Sequence, residues 1–263
     1  MTALAARHCF VSALLALAVG PAAALAQAPN NPAWVDSVAG LIARGTMAMD
    51  IQAFDQAIGM VDRVLAITPS GGVMLHYKGY ALYRKASLML ARRARGSEIK
   101  PMLEEANDVL ERSAAVLDWP ETRALRAAIL GQLIRTGGML TVMRLGPRAN
   151  DEFKEAMRLD PANPRVLMLR GVSAIYKPRM FGGGRDKAER DLRKALELFE
   201  TDHPVSPAPS WGHAEAFGWL GQVLALDGKV DDARQAYQRA LALEPQNGWV
   251  QDALLPALDS LKR

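Results

Sequence analysis

One stretch of 34 residues constrains this chain more than any other: AEAFGWLGQVLALDGKVDDARQAYQRALALEPQN, from Ala214 to Asn247. Phe217, Leu220, Gly221 and Leu224 recur at 3-1-3 spacing, which places them on one helix face. Asp227-Gly228-Lys229 interrupts the pattern, Ala233, Tyr237 and Ala240 resume it on a second helix, and Pro245 stops that helix. Glycine costs about 1 kcal/mol inside a helix, so Gly221 needs a packing reason. Small residues at Gly221, Ala233 and Ala240 let the two helices of a hairpin approach closely, and Tyr237 fills the gap to the next hairpin. Such a unit buries its apolar face only against copies of itself, so further copies are expected upstream.

Degenerate copies are there. Leu41, Gly45, Ala57, Val61 and Pro69 fit the uninterrupted frame. Leu75 and Gly79 open a second unit closed by Ala106, Leu110 and Asp118. Leu130 and Gly131 open a third, closed by Ala149, Phe153, Ala156 and Pro161. Leu167 and Gly171 open a fourth, closed by Ala188, Leu192 and Ala195. In the three middle units extra chain separates the glycine from the first alanine.

The large-residue, L-G, A, aromatic, A, P pattern of Ala214–Asn247 resembles the tetratricopeptide repeat. The resemblance implies an all-α solenoid, five stacked helical hairpins in a right-handed superhelix. Residues 38–200 hold repeats 1 to 4 with their insertions, 201–213 a Pro-rich linker, and 214–247 repeat 5. Residues 248–263 carry Trp249, Ala253, Leu254, Leu258 and Leu261 at helical spacing, a capping helix for the last apolar face.

Residues 1–26 stand apart. Arg7 and His8 precede the apolar run from Cys9, and Ala24-Leu25-Ala26 is an A-x-A cleavage site, so the segment reads as a secretory signal cleaved after Ala26. An exported, periplasmic protein is expected, with residues 27–37 as an N-terminal extension. The one cysteine, Cys9, leaves with the signal, which excludes a disulfide framework and a cysteine zinc site.

Catalytic signatures are missing. The chain has no H-E-x-x-H and no G-x-S-x-G motif. Gly182-Gly183-Gly184-Arg185-Asp186-Lys187 lacks the G-K-[S/T] of a phosphate loop and reads as a tight reversal. His203 and His213, with Asp202 and Glu215 nearby, are better explained by loop polarity than by a metal. A non-enzymatic protein without cofactor or metal is expected.

In tetratricopeptide solenoids the first helix of each hairpin lines a concave groove that holds peptides. Carried over, this implies groove residues His76, Tyr80, Tyr83 and Arg84 in repeat 2, Gln132 and Arg135 in repeat 3, Arg165 and Met168 in repeat 4, and Gln222 in repeat 5. The family's carboxylate clamp does not transfer, because His76 and Tyr80 stand where it has lysine and asparagine. Tyr and Arg are enriched at interface hot spots, so an exposed Tyr80 is expected to capture partner and to be dispensable for folding.

The net charge of +4 hides a segregation. The segments 84–100, 135–148 and 177–187 hold 13 basic and 2 acidic residues. Each follows the first helix of its repeat, so stacking gathers Arg92, Arg93, Arg95, Arg144, Arg148, Lys177, Arg179 and Arg185 along one edge. That edge suits an acidic partner or, with its interspersed Met and Leu, an anionic membrane surface. Nucleic acid suits the charge but not an exported chain. The expected function is a periplasmic interaction scaffold holding a protein or extended peptide in its groove. The alternative is a receptor or carrier of a small ligand, associated with an envelope transport system, that uses the Tyr77–Arg84 region as a pocket.

Overall fold

The computed structural model describes residues 32–261; the signal segment and cleavage site expected from the sequence lie outside them. The described residues form helices α1 (Pro32–Met47), α2 (Ile51–Ile67), α3 (Gly72–Ala91), α4 (Gly96–Ala114), α5 (Pro120–Thr136), α6 (Met139–Leu159), α7 (Pro164–Tyr176), α8 (Arg185–Phe199), α9 (His213–Leu226) and α10 (Val230–Leu243). A 3-10 turn, Arg179–Phe181, lies between α7 and α8. A π-helical turn, Trp249–Leu254, leads into the closing helix α11 (Leu255–Ser260). No strand occurs among the described residues. The helices pair as five antiparallel hairpins, α1–α2 to α9–α10, and each hairpin packs on the next. Val250, Leu254 and Leu258 of the closing segment are buried, as a cap requires.

Local chemistry sets the helix starts. Asp50 accepts a hydrogen bond from Gln52 N at the head of α2, and Asn163 accepts from Arg165 N and Val166 N at the head of α7. Pro120 and Pro164 occupy first-turn positions, where a missing N–H costs nothing.

The repeat glycines serve close approach in most units. A Cβ on Gly79 would lie 2.3 Å from Leu110 Cγ, and one on Gly221 2.3 Å from Tyr237 Cε1. Gly131 is different, because a Cβ there meets nothing within 4 Å. The pair gives a direct test. Gly79→Ala is expected to lose about 1–3 kcal/mol by overpacking, a melting temperature lower by several degrees. Gly131→Ala is expected to be neutral or to gain up to about 1 kcal/mol from helix propensity. Thermal unfolding of both variants decides, and equal losses would refute the packing account.

The extra chain in repeats 2 and 3 is helix rather than loop. Past its glycine, α3 continues about two turns further than α9 does, and α4 starts correspondingly early. In repeat 3 only α6 is lengthened. Gly137 and Gly138 are both extended and carry the chain about 7 Å before α6 begins. Repeat 4 alone has a true loop, the reversal expected around Gly182–Gly184. A Cβ on Gly183 would sit 1.9 Å from the Lys177 carbonyl oxygen.

The superhelix comes round far enough for its ends to meet. A Cβ on Gly248 would lie 3.1 Å from the Met47 carbonyl oxygen at the end of α1.

Candidate functional site

The inner face of the solenoid is not an open groove. Residues 201–212, read from the sequence as a linker, run across it and are held at several points. Tyr77 Oη donates to the Pro207 carbonyl at 3.0 Å. Tyr80 stacks on Trp211 with ring centroids 4.6 Å apart. Arg165 Nη2 donates to Asp202 Oδ2 at 2.5 Å. The next element is locked across the superhelix as well: Arg84 Nη1 donates to Glu215 Oε1 at 2.5 Å, and Trp219 Nε1 donates to the same oxygen at 3.1 Å.

This corrects the expected groove. Tyr80 is 4% exposed, so it is part of the packing between α3 and the crossing segment rather than a free contact. Tyr83, Arg165 and Met168 are likewise buried. His76 is wholly buried between repeats 2 and 3; its Nδ1 lies 2.8 Å from Thr122 Oγ1, and the Trp119 ring meets it edge-on. Burial lowers its pKa from the usual 6.5 to about 3, so it is neutral. Gln132 donates to Ser87 Oγ at 2.8 Å, and Arg135 lies over the Tyr176 ring at 4.3 Å. Gln222 is half-buried, with an unpartnered Oε1. Of the nine candidates, only Tyr80 and Arg84 line the cavity that the inner face keeps.

That cavity has a volume of about 240 Å³. Ala39, Ala43 and Thr46 of α1 form one wall, and Tyr77, Tyr80 and Arg84 of α3 the second. Trp211, His213 and Glu215 close the third, and Glu244, Asn247 and Trp249 after α10 the last. Thr46 Oγ1, Arg84 Nε, Trp211 Nε1 and His213 Nε2 are buried without a hydrogen-bond partner. His213 Nε2 faces Glu200 Oε1 at 3.9 Å, outside the cavity lining. Buried polar atoms are normally satisfied, so the other three mark a place that can bond a ligand. Burial raises the Glu244 carboxyl above its usual range, the Asn247 hydrogen bond opposes this, and Glu215 raises it further. Burial opposes the Arg84 charge, but Glu215 together with Tyr80 and Tyr83 outweighs it and keeps the guanidinium protonated. The cavity therefore offers aromatic walls, N–H donors from Arg84 and Trp211, and carboxylates.

Catalysis has no visible apparatus there. Among the residues that line the cavity neither Thr46 Oγ1 nor His213 Nε2 has a hydrogen-bond partner, so no hydroxyl–imidazole pair is set there, and among the described residues no group of three His, Cys, Asp or Glu side chains is placed to hold a metal. Trp211, Glu215, Trp249 and Thr46 were missed from the sequence. The signal available was a tryptophan inside a Pro-rich segment, since so large an aromatic seldom stays in solvent.

A second cleft, of about 470 Å³, opens between α6, α7 and the start of α8. Phe153, Met157 and Phe181 give it apolar walls, and Lys154, Arg170, Lys177 and Lys187 ring it with charge. Arg170 grips Asp191 through two bonds of 2.8 Å, Lys187 reaches the same carboxylate at 2.7 Å, and Lys177 donates to Asn150. Burial, and then the charge of Lys187, hold Lys177 below the usual lysine range.

The basic residues of the expected edge lie near the ends of first helices and in the early turns of second helices. Arg92 Nη2 donates to the Met49 carbonyl at 2.7 Å, and Arg185 pairs with Asp227, tying neighbouring turns together. Arg95 bonds Glu98 at 2.6 Å and Arg179 bonds Asp186 at 2.9 Å. Arg93 is exposed in the same turn as Arg92, and Arg144 and Arg148 are exposed on α6.

Comparison with known proteins agrees with this architecture. The family model described as tetratricopeptide repeat matches residues 214–247. The chain has the tetratricopeptide-repeat fold. Solved structures match over most of its length. The haemophore HusA of Porphyromonas gingivalis is 24% identical with a TM-score of 0.61, over 76% of this chain and 95% of that one. A thermophilic tetratricopeptide protein of Thermus thermophilus is 20% identical with a TM-score of 0.55, over 83% of this chain and 97% of its own. The Cut9–Hcn1 assembly matches at 16% identity and a TM-score of 0.51, over 92% of this chain and 42% of that one. At these identities the likeness is one of fold. No curated protein sequence matches the chain.

Proposed function

We propose that this protein is an exported, non-catalytic binding module that receives one compact group in the cavity between its first and last repeats. The tetratricopeptide fold is one that interaction scaffolds use, so the first reading is a scaffold that grips a partner protein by a single inserted side chain or chain end. The observation that carries it is the recessed 240 Å³ cavity on an inner face otherwise covered by residues 201–212. An extended peptide laid along that face would have to displace the Tyr80–Trp211 stack. Export rests on the sequence of residues 1–26. The second reading, a carrier of a free small ligand, is favoured by the unpartnered Thr46 Oγ1, Arg84 Nε and Trp211 Nε1 around the cavity.

Ala43 is exposed at the rim of the cavity, so Ala43→Phe is expected to plug it without disturbing the core. The protein purified from its own cell envelope is examined by native mass spectrometry and by affinity capture. A scaffold brings down a partner protein, a carrier shows an added small mass, and Ala43→Phe is expected to reduce either at least about tenfold, with unchanged melting. Retention of the same partner or mass by Ala43→Phe would exclude the cavity as the site.

A further inference from the structure

The exposed edge carries a surface that the cavity does not use. Past the extended Gly137 and Gly138, α6 begins about two turns earlier, relative to its first repeat alanine, than α10 does, and one face of these first turns is exposed. Met139, Leu140 and Met143 on this tip are 73%, 82% and 68% exposed. One and two turns behind Leu140, on the same helix face, stand Arg144 and Arg148, both exposed and without an ion pair among the described residues. No Asp or Glu occurs between Glu121 and Asp151, so the tip has no acid of its own stretch to neutralise it. In the next repeat the 3-10 turn adds Met180, 83% exposed, and Phe181, 54% exposed.

We propose that this edge docks on an anionic phospholipid surface, the α6 tip entering the interface and Arg144 and Arg148 meeting lipid phosphates. Three large apolar side chains held in water at the free end of a helix are poorly placed for folding, whereas an interface removes them from water. The order along α6, apolar tip first and arginines behind, matches the depths of a leaflet, with acyl chains below and headgroups above them. Long arginine side chains then keep their charge at headgroup level. An interface of this kind needs both parts, because a basic patch alone gives weak, salt-sensitive attraction and an apolar tip alone gives no preference for charge. The site is separate from the cavity, so the two proposals stand or fall independently. Among the described residues no helix is long and apolar enough to cross a membrane, and docking does not require one.

The test uses the chain from Gln27, which contains every described helix, sedimented with vesicles of phosphatidylcholine alone or mixed with phosphatidylglycerol. At low salt the protein is expected to partition at least about tenfold better into the anionic vesicles. The triple variant Met139→Asp, Leu140→Asp, Met143→Asp is expected to lose about tenfold or more while melting as the parent does. Arg144→Glu with Arg148→Glu is expected to abolish the preference for phosphatidylglycerol. Equal partition into both vesicles, or none into either, overturns the proposal. So does a methionine-tip variant that binds as before, since only diffuse charge attraction would then be at work.

Discussion

Replacing Glu215 by alanine is expected to cost about 3–5 kcal/mol, because it strands Arg84 inside the molecule. The Arg84 and Glu215 side chains are only 14% and 13% exposed, so solvent screens the pair little. One Glu215 oxygen accepts from both Arg84 and Trp219, and alanine removes both bonds at once. The bond also spans the fold, tying α3 in repeat 2 to α9 in repeat 5 across 131 residues of sequence. Removing both charges is different. In Arg84→Met combined with Glu215→Ala no buried ion is left, and most of the loss is expected to return. Urea unfolding of the two single variants and the double variant gives the coupling energy. A single-variant loss below about 1 kcal/mol would mean a solvent-screened pair, and hence an inner face more open than described.

The contrast between repeat 5 and repeat 2 explains how far the sequence could be read. In repeat 5 the break at Asp227-Gly228-Lys229 coincides with the observed turn between Leu226 and Val230, because a glycine and a minimal loop leave only one way to reverse. In repeat 2 the residues after Arg84 looked like an insertion, yet they are helix. What ends α3 is Arg93, a non-glycine residue at φ 61°, which no local pattern announces. Pro101 within α4 and Pro147 within α6 also argued locally against continuous helices there, and packing overrode them. The site was harder still. Tyr77, Tyr80 and Arg84 stand at 3- and 4-residue spacing and so lie close together on one helix, but what covers a helix face is set by chain far away. Trp211 and Glu215 decide that Tyr80 is buried and Arg84 paired, and nothing within a helical turn of either residue encodes it.

His76 makes stability fall steeply in mild acid. In the unfolded chain its imidazole has the ordinary value near 6.5, whereas in the fold burial lowers it to about 3. Between those values the unfolded state binds a proton that the folded state does not, so acid favours unfolding. The contribution is complete above about pH 6.5 and is lost as pH falls toward 3, at about 1.4 kcal/mol per pH unit. From pH 6.5 to pH 4 that amounts to roughly 3 kcal/mol, a large part of an ordinary domain's stability. The environment leaves no cheaper route: Thr122 holds Nδ1, Nε2 has no partner, and the Tyr77 and Trp119 rings meet the imidazole edge-on at 5.3 and 5.1 Å. Carboxylates held below their usual range in ion pairs, such as Asp191 and Glu189, lose stability in an overlapping acid range, so the parent's pH profile alone does not isolate the histidine. His76→Gln does. Glutamine can keep a hydrogen bond to Thr122 and does not titrate, so its urea midpoint is expected to fall less between pH 6.5 and 4, by the equivalent of roughly 3 kcal/mol. Parallel profiles for the two proteins would mean that the imidazole takes up its proton without unfolding, and that the interface between repeats 2 and 3 admits water.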